Sequence, residues 1–92
     1  MRQHLVDVMQ ITLKLYATLS DLLPSGAVKN ASPITVDEGV TLNQIIDQYK
    51  VPRKLAHLVL VNGHFVCDTD RDQSGALVEG DVLAIWPPVA GG

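Results

Sequence analysis

The sequence closes with Pro87-Pro88-Val89-Ala90-Gly91-Gly92, and the Gly92 carboxylate is the group whose setting best suits chemistry. An α-carboxyl group has a pKa of about 3.3–3.7, so it is ionised at neutral pH and is a poor electrophile. No residue of this chain is placed to activate it, so any reaction there requires a partner. Glycine lacks Cβ, and Gly91-Gly92 can thread a slot too narrow for any side chain. Pro87 and Pro88 fix φ near −65° and cannot continue a sheet ladder, which gives a stiff exit. The apolar run Val82-Leu83-Ala84-Ile85-Trp86 just before them reads as a buried strand. Strand, prolines and glycines together describe an arm, flexible over 87–92, that holds its carboxylate away from the body. A frayed end or an expression scar would carry the same letters, so the tail needs support from the rest of the chain.

The other chemistry-bearing residues assemble nothing comparable. Cys67 is the single cysteine, which permits no internal disulfide and no cysteine cluster, and a four-cysteine iron–sulfur centre is excluded. At the end of a strand it reads as a small hydrophobe rather than a redox thiol. His4, His57 and His64 lack ligand spacing, so no metal site is expected. Asp68, Asp70 and Asp72 alternate as in a calcium loop, but an EF-hand needs Gly at its sixth position and Glu at its twelfth. Gln73 and Glu79 stand there instead, so the segment reads as a solvated loop. Phe65 and Trp86 are candidates for an exposed docking patch on a sheet face, with burial as the competing reading.

With 92 residues, the chain suits one domain whose core must come from Leu, Ile, Val and Ala, since only 4% is aromatic. A net charge of −3 without a basic run argues against nucleic acid as a partner. No apolar stretch approaches the roughly 20 residues of a membrane span, and Asp7 interrupts any signal-peptide core after Met1-Arg2-Gln3-His4. These features imply a cytoplasmic protein with no membrane partner.

Several elements must position the tail. Met9, Ile11, Leu13 and Leu15 alternate with Gln10, Thr12, Lys14 and Tyr16, the period of a half-buried strand. Residues 1–8 carry no such signal and read as a loose extension. Ala17–Leu23 suits a short helical turn stopped by Pro24, residues 24–32 a loop, and Ile34 and Val36 a second strand. Thr41 as N-cap with Gln44 at N3 forms a capping box, and Val40 and Ile45 are placed for a hydrophobic staple. Leu42, Ile45, Ile46 and Tyr49 give the helix one apolar face, and Pro52 ends it near Lys50. Asn62-Gly63 between Leu58–Val61 and His64–Val66 signals a type I′ hairpin. The unbroken apolar run Leu58–Val61 suggests a strand covered on much of both faces. Leu77–Asp81 reads as a turn feeding the last strand. The order β-β-α-β-β-β makes an α+β domain.

That order, the pieces Val61-Asn62-Gly63 and Leu77-Val78-Glu79-Gly80-Asp81-Val82, and above all residues 87–92, resemble the ubiquitin-like β-grasp sulfur carriers of the ThiS/MoaD family. The resemblance covers about residues 9–92 of a single domain spanning 1–92. It implies a mixed sheet of four to five strands packed on one main helix, with the first strand central and parallel to the last. It also implies function. An E1-like adenylyltransferase uses ATP to convert the Gly92 carboxylate to an acyl-adenylate, and a desulfurase- or rhodanese-type donor supplies sulfur to make a thiocarboxylate. Pro87, Pro88, Val89, Ala90 and Gly91 would thread into the partner, while Phe65 and Trp86 would dock on it. The double proline and the chain length look more like the small subunit of molybdopterin synthase, whose large subunit would receive the tail. The chain is then a cosubstrate that binds no cofactor of its own, not an enzyme. Three readings stay open beside it: a thiamin-pathway carrier, a ubiquitin-like tag joined to lysine, and a β-grasp interaction module with an inert tail.

Overall fold

The computed structural model describes residues 7–88. The alternating stretch forms β1, Val8–Leu15, with Met9, Ile11, Leu13 and Leu15 buried on one face. It pairs antiparallel with β2, Ala31–Asp37, in a register that sets Ile11 opposite Ile34 and Met9 opposite Val36. Between them Ala17–Leu22 makes a 3₁₀ turn that buries Leu19. The turn ends at Leu23, before Pro24, as the sequence suggested.

Helix α1, Leu42–Gln48, starts from the expected capping box. The Thr41 side chain accepts from the Gln44 amide at 3.0 Å, and the Gln44 side chain accepts from the Thr41 amide at 2.9 Å. Leu42, Ile45 and Ile46 are completely buried, while Tyr49 only flanks the core. The helix ends slightly earlier than Pro52 alone would dictate, because Lys50 takes up a left-handed φ of 63° just past the C-cap Tyr49.

Strands β3, Leu58–Val61, and β4, His64–Phe65, are joined by Asn62-Gly63 with φ values of 51° and 85°, the two positive angles a type I′ turn requires. Strand β5, Val82–Trp86, runs parallel to β1 and antiparallel to β3, giving the order β2-β1-β5-β3-β4. The α+β expectation and the central parallel pair hold. A parallel pair needs a crossover connection, and here that connection carries α1 across one face. The core lies between α1 and the sheet face bearing Leu13, Leu15, Val59, Leu83 and Ile85. Each such side chain contributes roughly 1.5–3 kcal/mol relative to exposure.

One expectation fails in an informative way. The apolar run of β3 is not covered on both faces: Val59 is fully buried, but Leu58 is 37% exposed and Leu60 half-buried. The sheet has helix on one side only, so the second apolar face of β3 is left open to solvent.

Candidate functional site

The site is built from the strand that leads into the tail and the open sheet face beside it. The turn before β5 sets that strand's register. The Glu79 carboxylate accepts from the Gln10 amide at 2.9 Å, the Gly80 amide donates to the Gln10 carbonyl at 2.8 Å, and the Thr12 amide donates to the Asp81 carbonyl at 2.9 Å. Asp81 also accepts from the Val78 amide and from the Asn62 side chain, both at 2.9 Å, while the Asn62 side-chain oxygen accepts from the Val82 amide at 2.9 Å. Gly80, with φ of 88°, permits the turn. The Leu77–Val82 segment therefore locks β5 against β1 and against the hairpin at once.

Side chains alternate across strands, so residues facing away from α1 can be traced through the register. Lys14 lies opposite Ala84, Ala84 opposite Leu60, and Leu60 opposite Phe65. The next row places Leu58 opposite Trp86, and Tyr16, one residue past the Leu15–Ile85 pair, stacks on the Trp86 ring. Phe65 is 60% exposed. Trp86 is half-buried, with one ring face covered by Tyr16. The structure thus brings the two expected docking residues to one face and adds Leu58, Leu60 and Tyr16, which sequence reasoning had not singled out. Their signal was present in the outward positions of the alternating strands, but only the register joins them. Pro87 is half-buried and Pro88 exposed, just past the strand. Val89, Ala90, Gly91 and Gly92, with the threading role and flexibility expected of them, lie outside the described residues, as do most of residues 1–8.

A cleft of about 490 Å³ beside Phe65 is lined by Lys54, His57, Cys67 and Arg71 among others. Cys67 is exposed rather than packed as a small hydrophobe; its thiol lies 3.2 Å from the Thr69 hydroxyl and donates to Asp70 at 3.4 Å. The polar run 68–75 also hides a buried cation. Arg71 is only 5% exposed, and its guanidinium donates to the carbonyls of Ala56 (2.8 Å), Val66 (3.1 Å) and His57 (3.4 Å). The Asp68 carboxylate pairs with it at 2.9 Å. Asp68, Asp70 and Asp72 turn to different partners, Arg71, Gln73 with Cys67, and Asn43. Among the described residues no group of three His, Cys, Asp or Glu side chains could hold a metal ion. No helix among them is long and apolar enough to cross a membrane. On the surface, Arg53 donates twice to Asp47, at 2.9 and 2.6 Å. Those bonds hold the Asp47 carboxyl below its ordinary value and raise the Arg53 guanidinium.

This geometry can present a strand end and an apolar face to a partner. The ThiS family profile matches residues 13–92, from the core of β1 to Gly92. The chain belongs to the ThiS family. Members of this family are small ubiquitin-like proteins that generally act as non-catalytic carriers and partner with E1-like activating enzymes. Among solved structures, the solution structure of the HVO 2177 protein of Haloferax volcanii is 25% identical, with a TM-score of 0.66 over 92% of this chain and 88% of that one. The crystal structure of SAMP1 from the same organism is 24% identical, with a TM-score of 0.61 over 90% of this ThiS-family chain and 99% of its own. A second crystal structure, of H. volcanii small archaeal modifier protein 1, is 22% identical, with a TM-score of 0.61 over 88% and 99%. The likeness to these two confirms the ubiquitin-like β-grasp fold. No curated protein sequence matches the chain significantly.

Proposed function

We propose that this ThiS-family chain is a sulfur carrier whose Gly92 carboxylate is adenylated and then converted to a thiocarboxylate that donates sulfur in molybdopterin biosynthesis. The observation that carries the proposal is the family match, whose span of residues 13–92 includes β5, Pro87-Pro88 and Gly92. In the first step the carboxylate oxygen attacks the α-phosphorus of ATP on an E1-like partner, and pyrophosphate leaves. A persulfide sulfur of the donor then attacks the acyl carbon and AMP departs. A second thiol on the partner side cleaves the resulting acyl disulfide, which leaves the C-terminal thiocarboxylate and a disulfide on the donor. This chain contributes the carboxylate, the arm and the apolar face around Phe65 and Trp86; acids, bases and nucleotide belong to the partner. In the molybdopterin branch the larger synthase subunit receives the tail. The double proline supports that branch over the thiamin one.

A second reading is favoured by two structural neighbours described as archaeal modifiers: Gly92, once activated, forms an isopeptide bond with a lysine of another protein. Both readings share the adenylate and differ in the nucleophile. Mass spectrometry of the protein recovered from its own cells separates them. The carrier reading expects a free chain, part of it heavier by the difference between sulfur and oxygen. Recovery of Gly92 solely in linkage to lysine side chains would replace it with the modifier.

A further inference from the structure

Trp86 is the last residue of β5, and Pro87-Pro88 follow it directly. Its backbone is held from both sides. The Tyr16 amide donates to the Ile85 carbonyl at 3.2 Å, and the His57 amide donates to the Trp86 carbonyl at 3.1 Å. These bonds hold the peptide planes on either side of Trp86, but the last bonds of a strand are the ones that open most readily. The side chains oppose that opening: the Tyr16 and Trp86 rings stack face to face, with centroids 4.2 Å apart and planes 2° from parallel. Tyr16 itself cannot swing away easily. It follows the buried Leu15, and the next residue, Ala17, has a φ of 55°, which turns the chain sharply into the 3₁₀ segment.

We propose that Tyr16 is a positioning residue for the tail: its stack on Trp86 fixes the direction in which the chain leaves the sheet. The inference takes its consequence from the reading of Gly92 as the activated group. Pro87 and Pro88 have fixed φ, so the orientation of Trp86 passes into them with little loss. Six residues from Trp86 to Gly92 reach at most about 20 Å, so a tilt of about 10° at the root moves the tip by about 3.5 Å. A slot that accepts only glycine is sensitive to such an offset while the tail is entering it. Once the tail is seated, the slot itself holds the acyl carbon. Loss of the stack therefore raises KM and leaves kcat nearly alone.

The test compares Tyr16→Phe, Tyr16→Leu and Tyr16→Ala in ATP–pyrophosphate exchange with the E1-like enzyme from the same source, after melting curves show each variant folded at the assay temperature. Tyr16→Phe keeps the stack and is expected to match the wild type. Tyr16→Leu and Tyr16→Ala are expected to raise KM by about 3- to 10-fold with kcat within about twofold, the range expected for one aromatic pair. A second arm needs no enzyme. Cys67 is the single cysteine and is exposed, so a nitroxide attaches there alone, and its broadening of the amide signals of Val89 to Gly92 reports the mean direction of the arm. Tyr16→Ala and Tyr16→Leu are expected to change that broadening profile, and Tyr16→Phe to preserve it. If the wild type is not activated, the carrier reading falls, while the nitroxide profile still decides the role of Tyr16. A broadening profile unchanged in Tyr16→Ala, a wild-type KM in that variant, or a Phe variant as impaired as Ala would each overturn the proposal.

Discussion

Replacing Arg71 with alanine removes the one buried guanidinium among the described residues, and its consequence can be worked from the contacts. Arg71 ties three stretches of chain together: the carbonyls of Ala56 and His57 before β3, that of Val66 after β4, and its own loop through Asp68. A hydrogen bond from a charged donor contributes about 1.5–3 kcal/mol, and two of the three carbonyl bonds are short enough to count fully. The Asp68 pair adds little, because Asp68 is 89% exposed and its interaction is screened by solvent. Water can enter the adjoining cleft and take up part of what the carbonyls lose, so Arg71→Ala is expected to destabilise the protein by about 2–4 kcal/mol. For a domain of this size that lowers the melting temperature by about 10–25 °C. Arg71→Lys should fall between the two, since a single ammonium cannot span carbonyls on separate segments as the planar fork does. Asp68→Asn should change stability little. Urea unfolding followed by circular dichroism gives the free energy directly. An Arg71→Ala protein within about 0.5 kcal/mol of wild type would refute the reasoning, because a change that small is what a surface substitution produces.

Thr41→Ala removes the acceptor for the Gln44 amide and is expected to cost about 1 kcal/mol, measured by the same unfolding curves; no loss would mean that packing alone sets the start of α1. Phe65→Ala should leave the fold intact, since the ring is 60% exposed, yet weaken the complex with the E1-like partner by about 1 kcal/mol or more in titration calorimetry. Unchanged affinity would move the docking surface off the open sheet face. The Arg53 bonds depress the Asp47 carboxyl in the folded state, so its stabilisation is present above the ordinary unfolded value near 3.9 and fades as pH falls through the lowered folded value. Wild type should therefore exceed Asp47→Asn in melting temperature by a small margin at neutral pH. That margin should shrink with added salt and vanish in acid, and a margin independent of pH would contradict the ion pair's role.

What the sequence made legible followed from local rules. The α1 start was readable because Thr41 and Gln44 stand three residues apart, and the hairpin because Asn62-Gly63 supplies two positive φ angles. What it hid depended on distant pairing. Arg71 sits in a polar run that reads as solvated; its burial arises because loops around Ala56 and Val66 fold back over it. The Tyr16–Trp86 stack joins residues 70 apart in sequence, brought together by the parallel pairing of β1 and β5. The Leu58–Val61 run gave the strand correctly but not its exposure, because an apolar second face can meet a partner as well as a core. The tail was legible as a pattern, and its chemistry came from family resemblance.

The most direct test of the central claim is intact mass after incubating the full chain with the matching E1-like enzyme, ATP and a sulfur donor, beside a chain lacking Gly92. The account expects a C-terminal thiocarboxylate on the full chain, seen as sulfur in place of oxygen, and no such product from the truncated chain. The shortened arm withdraws its acyl carbon by up to about 3.5 Å, and a misplacement of only about 1 Å can slow a reaction a hundredfold. Stability should be the same in both. A truncated chain that gains sulfur as readily as the full one, or a full chain that is never adenylated, would contradict the account.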